Sequence, residues 1–217
     1  MLTPRVSRDE AVLHLGCGTS ELGHALHRAT GASVLNADVS SQALALARAS
    51  AARQGIEDRV AFAQVDARAL PAAWNGRFKM VIDKGTLDAL SCSRSDGEQN
   101  VERMLRGVAR VLEPRGVFVL VTTVQEESVR RWLAAADLVV EDLAKLVTTQ
   151  SQRRVPVLPN DVWVVHKRRK RAPPGKAPSL RRRGAPGSTA YAPLPSSDVD
   201  DASSNEDEPS GSDSDSE

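Results

Sequence analysis

Residues Ala11-Val-Leu-His-Leu-Gly-Cys-Gly-Thr-Ser20 decide the fold. Four of the first five are apolar, a run too short for a helix, and Gly16 ends it. The pattern predicts a buried parallel strand that runs into a glycine turn. Beyond the turn, Ser20 to Arg28 has helical spacing. Leu22, Ala25, Leu26 and Ala29 are expected on its buried face, with Thr19 or Ser20 as the capping residue. Strand, tight turn and helix form the opening of a βαβ unit. Glycine in the turn lets backbone approach a ligand that a Cβ would hold off.

The next strand, Ala32 to Asp38, ends on a carboxylate twenty residues beyond Gly18. An acid at that spacing can accept both hydroxyl hydrogens of an adenosine ribose. A dinucleotide is disfavoured, because a pyrophosphate fingerprint needs a third glycine where this chain has Glu21. S-adenosylmethionine has no phosphate and needs no such glycine.

Further along, Ser41 to Gln54 is an alanine-rich helix, capped by Ser40 or Ser41 and stopped at Gly55. Val60–Val65, Phe78–Asp83 and Val117–Val121 read as strands, and Leu138–Val147 and Val162–Val165 as the last two. Leu70 to Asn75 reads as a short helix or irregular cover. Glu98 to Leu112 and Glu126 to Ala136 are helices, the first burying Val101, Met104, Leu105, Val108, Ala109 and Leu112. Alternation of this kind predicts an α/β fold, a Rossmann-like, doubly wound, seven-stranded and mostly parallel sheet. Ligands of such sheets bind beyond the carboxyl ends of the strands, where Gly16, Asp38, Asp66 and Asp83 terminate the first four.

The chain of 217 residues has 29 Lys and Arg against 28 Asp and Glu, and this near balance hides a polar tail of two opposite blocks. Nine cations fall between Lys167 and Arg183, and nine carboxylates between Asp198 and Glu217. Such a stretch lacks the apolar surface to offset its ordering entropy. The expected division is a domain over 1–168 and a disordered tail over 169–217. The plain reading of that tail is a solvated linker with no specific partner; the alternatives are loose association of its two blocks with each other, or weak contact of the basic block with RNA, an acidic partner or an import receptor. Cys17 and Cys92 have neither metal-site nor disulfide spacing, and the four histidines are scattered, so no metal is expected. No apolar run approaches the ~20 residues of a membrane span, and no membrane partner is expected. The expected compartment is the cytoplasm, with the nucleus second because of Lys167 to Arg171.

Three stretches carry a resemblance: Leu15-Gly-Cys-Gly-Thr-Ser-Glu-Leu22, Asn36-Ala-Asp-Val-Ser40 and, most specifically, Val81-Ile-Asp-Lys-Gly-Thr-Leu-Asp-Ala-Leu90. Over residues 11 to about 166 the chain resembles class I S-adenosylmethionine-dependent methyltransferases, in the group with the lysine methyltransferases of translation elongation factor 1-alpha. The resemblance implies S-adenosylmethionine as cofactor and a protein with a target lysine as partner. It implies that Gly16 and Gly18, with Cys17 between them, line the methionine and ribose. Asp38 would hold the ribose, Val39 would lie against the adenine, and Asp66 and Ala67 would meet the adenine amino group and ring. Asp83 and Lys84 would face the methionine and the reacting centre, and Asp83 and Asp88 are the candidate catalytic carboxylates.

The chain departs from the pattern at His14, where an acid is common, and at Pro114-Arg-Gly116, where two glycines are usual. Ten residues precede the first strand, and the expectation is a shortened or weakened enzyme lacking the helical cover of its relatives. No Asn-Pro-Pro-aromatic motif follows the fourth strand, which disfavours amide or base nitrogen as the methyl acceptor. An RNA or small-molecule methyltransferase and a non-catalytic scaffold are the alternatives.

Overall fold

The computed structural model describes residues 6–141 and 161–168. In chain order the elements are β1 (Ala11–Leu15), α1 (Leu22–Thr30), β2 (Ser33–Asp38), α2 (Ser41–Arg53), β3 (Val60–Gln64), β4 (Phe78–Lys84), α3 (Thr86–Ser91), α4 (Gly97–Val111), β5 (Leu112–Thr122), α5 (Glu126–Ala135), β6 (Leu138–Glu141) and β7 (Asp161–Lys167). One 3₁₀ turn, Ala72–Trp74, is the cover expected after β3. The seven strands form one sheet in the order β3-β2-β1-β4-β5-β7-β6. The first five are parallel, and β7 runs antiparallel to both β5 and β6. The doubly wound, mostly parallel sheet expected from the sequence is present. Its order reverses between β1 and β4, which opens a crevice at their carboxyl ends.

Both faces of the sheet are covered, so successive residues of a strand serve different cores. Leu13 and Leu15 of β1 join Val81, Phe118, Met104 and Leu105 beneath α4 and α5. Val12 joins Val34, Met80 and Ile82, with Leu22 and Leu26 of α1 packed on them. Along α4 the buried side is the one expected from its spacing, except that Leu112 is buried as the first residue of β5. Pro114-Arg-Gly116 lies within β5 as an irregularity. Phe78 pairs with Leu112 and Met80 with Val117, so the intervening residues loop out of register.

Helix α1 differs from expectation. Gly23 and His24 are its buried residues, whereas Ala25 and Ala29 are exposed. The cause is Asn36 on β2. A Cβ on Gly23 would lie 2.3 Å from Asn36 Oδ1, so only glycine lets the helix approach there. The same oxygen takes a hydrogen bond from His14 Nδ1 at 2.9 Å. Burial lowers the His14 pKa and favours its neutral ring. The N-cap position of α1 is Glu21, and of the two expected caps Ser20 is the one engaged, its Oγ accepting from the Leu22 amide at 3.3 Å. In α2 the cap is Ser40, whose Oγ accepts from the Ala43 amide at 3.2 Å. The segment 142–147, expected to continue β6, and the tail 169–217 lie outside the described residues.

Candidate cofactor site

A cavity of about 340 Å³ lies at the carboxyl ends of β1, β2 and β4. Its walls are Gly16 from the first turn, Asp38 and Val39 at the end of β2, and Val65 to Arg68 beyond β3. Lys84 to Thr86, with Ala89 and Leu90, close it from β4 and α3. Of the residues singled out in the sequence, the cavity brings together Gly16, Asp38, Val39, Asp66, Ala67 and Lys84.

The glycine turn is stitched to β2. Cys17 N–H donates to Ala37 O at 3.0 Å, and Gly18 N–H donates to Asp38 Oδ2 at 2.7 Å. The other carboxylate oxygen, Oδ1, accepts from the Ser40 amide at 2.9 Å. A carboxylate accepts about four hydrogen bonds, so two positions remain on Asp38. Gly18 has φ +53, and a Cβ there would meet nothing within 4 Å. Space beside its backbone is open. Val39, 67% exposed, presents an apolar side chain at the same edge.

Asp66 and Arg68 form a fork across the other end. Arg68 Nε donates to both carboxylate oxygens at 3.0 Å, Nη2 to Oδ2 at 2.6 Å, and the Arg68 amide to Oδ1 at 2.8 Å. Hydrogen bonds from Arg68 hold the Asp66 carboxyl below the usual range, against a smaller effect of burial. Asp66 thus reaches the cavity already paired. Arg68 was missed in the sequence, although an arginine two residues after a strand-end carboxylate is the signal for such a fork.

Two expected catalytic carboxylates do not line the cavity. Asp83 is fully buried and accepts from the amides of Thr86 at 2.8 Å and Leu87 at 2.9 Å, so it braces the start of α3. Burial pushes its pKa up to about 6, against the downward pull of those amides. Asp88 Oδ1 accepts from the Thr123 amide at 2.8 Å and hydroxyl at 2.6 Å, tying α3 to the end of β5. Burial raises the Asp88 carboxyl, but the hydrogen bonds outweigh it and leave it below its ordinary value.

Cys17 is likewise turned away. Its thiol packs with Leu44, Ala47 and Phe62 beside α2, and burial pushes its pKa up to about 12. Glu21 is also directed to α2, where it accepts from Ser50 Oγ at 2.7 Å. Its carboxylate therefore excludes a pyrophosphate less directly than its place in the motif implies. Thr86 takes an unexpected part: it lines the cavity and donates its hydroxyl hydrogen to Leu15 O at 3.2 Å.

A sheet of this order, with a glycine turn and strand-end carboxylates gathered around one cavity, defines a class I methyltransferase fold. The chain belongs to the methyltransferase domain family, which matches residues 7–164. Among curated relatives, EEF1A lysine methyltransferase 4 of Bos taurus is 33% identical over 130 residues, covering 57% of this chain and 49% of the relative. Protein-lysine N-methyltransferase EFM4 of Saccharomyces cerevisiae is 31% identical over 121 residues, covering 54% and 52%. The chain spans about half the length of these relatives. The solved geranyl diphosphate methyltransferase in complex with SAM has a TM-score of 0.57 at 13% identity, covering 76% of this chain and 80% of its own. The [4+2]-cyclase SpnF has a TM-score of 0.58 at 17% identity, covering 75% and 77%. These two likenesses concern the fold.

Proposed function

We propose that the chain binds S-adenosylmethionine in this cavity and methylates a lysine side chain of a protein, with translation elongation factor 1-alpha as the first candidate. One observation supports the cofactor most. The Asp38 carboxylate is held by two backbone amides at the cavity edge with acceptor positions to spare, beside the open backbone of Gly18. Those free acceptor positions fit the two hydroxyl donors of a ribose diol. Asp66 faces the cavity with its four acceptor positions taken by Arg68, so an adenine amino group would bond it only in place of part of that fork, while Val39 offers an apolar surface for the ring. The exposed ammonium of Lys84 suits the methionine carboxylate. The lysine target is supported by the names of the relatives.

The bound cofactor supplies an electrophilic methyl group to a neutral nucleophile. A lysine amine, with an ordinary pKa of roughly 10.4, must first lose a proton, which passes to solvent water. Asp83 and Asp88 are engaged as braces, so the chain's own contribution is binding and orientation at the mouth formed by Lys84 and Thr86.

Calorimetry with S-adenosylmethionine tests the first half of the proposal, and incubation with methyl-labelled cofactor and purified elongation factor 1-alpha tests the second. Binding and label recovered as methyl-lysine are expected. Binding with no transfer to protein would overturn the lysine target and leave the cofactor standing, whereas absence of binding would overturn both.

A further inference from the structure

A second concavity, about 920 Å³, lies at the opposite edge of the sheet, formed by the carboxyl ends of α4 and α5, the start of β5 and the end of β7. Five cations line it, Arg106, Arg110, Arg115, Lys167 and Arg168, against one carboxylate, Asp137. Two of the five have partners. Arg106 pairs with Glu102 at 3.1 Å, and Arg110 donates to Leu70 O at 2.6 Å and to Asn75 Oδ1. The carbonyl and amide partners of Arg110 do not cancel its charge. Arg115, Lys167 and Arg168 have no carboxylate partner among the described residues. The groove therefore carries an excess of positive charge that Glu102 and Asp137 offset only in part.

We propose that this groove is the docking surface for the chain's own acidic stretch, Ser196–Glu217. The charges are complementary: nine carboxylates and no cation in that stretch face an excess of positive charge in the groove. The reach is sufficient. Arg168 itself lines the groove, and residues 169–195 that follow can extend on the order of 90 Å. A tether of this kind gives an effective concentration on the order of millimolar, so a contact too weak between separate molecules is populated within one. The cations are already held by folded backbone, so docking orders the acidic stretch alone. The contact is electrostatic and weakens with salt. It is independent of methyl transfer, because the groove is at the far edge from the cofactor cavity.

The test uses the full chain with Cys92→Ser and a spin label on Ser210→Cys. At low salt the amide signals of Arg106, Arg115, Asp137 and Arg168 are expected to lose more than half their intensity to the label. The loss should disappear at 0.5 M salt and in the Arg106→Ala/Arg115→Ala double variant, which spares the bracing Arg110. Broadening confined to residues 169–183, spread over the cofactor edge, or absent would overturn the proposal. A 12-nucleotide single-stranded RNA separates the rival occupant. RNA should shift the groove signals at least tenfold more weakly in the native chain than in one whose nine tail carboxylates are amides. Equal RNA binding by both chains would make the groove a nucleic-acid site and defeat the acidic occupant.

Discussion

A Cβ on Gly16 would lie 1.8 Å from Oγ1 of Thr86, so the first residue of α3 occupies the space that the first glycine leaves empty. Gly16 also has φ +61, a region costly for residues with a side chain. Gly16→Ala therefore meets two penalties. In the Thr86→Ala background the clash with the hydroxyl is removed, leaving the backbone penalty, roughly 1–2 kcal/mol, and the tight 2.9 Å contact with the Cβ that alanine keeps. A double-mutant cycle followed by chemical unfolding should show this coupling, and strictly additive effects would refute the contact.

Asp38 serves the fold as well as the proposed ligand. Asp38→Ala leaves the Gly18 and Ser40 amides without their acceptor, a loss of about 1–3 kcal/mol in stability. In the molecules that stay folded, affinity for S-adenosylmethionine should fall tenfold or more, since the lost bonds are charge-assisted. Calorimetry alongside a thermal melt separates the two effects. Unchanged affinity in folded protein would remove Asp38 from the ribose.

Asp83 gives stability a distinctive pH dependence. Its folded pKa, about 6, lies above the ordinary 3.8, so the native state holds the proton more tightly than the unfolded chain. Its contribution is full below pH 3.8 and is lost as pH rises through about 6. The loss amounts to roughly 3 kcal/mol, from about two pKa units at 1.36 kcal/mol each. Asp83→Asn cannot titrate. Relative to the variant, the native chain should lose roughly 2–2.5 kcal/mol of stability between pH 4 and pH 7 in urea unfolding. A constant difference would show that the carboxyl does not titrate in this range.

Arg68 should be nearly dispensable for folding. Its pair with Asp66 is exposed and screened by solvent, so Arg68→Ala should leave the melting temperature nearly unchanged. The Asp66 carboxyl should then titrate at higher pH than in the native chain, because Arg68 is the main cause of its lowered pKa. A carboxyl-detected NMR titration checks this, and an unmoved midpoint would mean that backbone donors alone set it.

The legible parts were those with local causes. Strand runs ending in Gly16, Asp38 and Asp83 announced the sheet and its ligand edge, because apolar runs, glycine turns and terminal acids are properties of neighbouring residues. Side-chain direction was not legible. Asp83 was placed at the correct strand end, yet nothing nearby in sequence says that its oxygens turn back to the Thr86 and Leu87 amides. Cys17 sits between two glycines of the cavity turn, but its thiol faces Leu44 and Phe62, which are distant in sequence. The buried side of α1 was misjudged for the same reason, since Asn36 on another element dictates the glycine contact.

The position of β7 between β5 and β6 sets the sequence of events as the molecule is made. Strand β6 leaves the ribosome before β7 yet pairs with β7 rather than with β5. Until residues 161–167 are synthesised, β5 presents its bare hydrogen-bonding groups, along a stretch as apolar as Val117-Phe-Val-Leu-Val121, to any passing strand. The first five strands are all made by residue 122, with β1 pairing to β4 across the intervening β2 and β3, while the last edge waits for a late arrival. A nascent chain stalled before residue 161 is therefore the species most exposed to misassociation, and a natural client for a chaperone that shields unpaired strands.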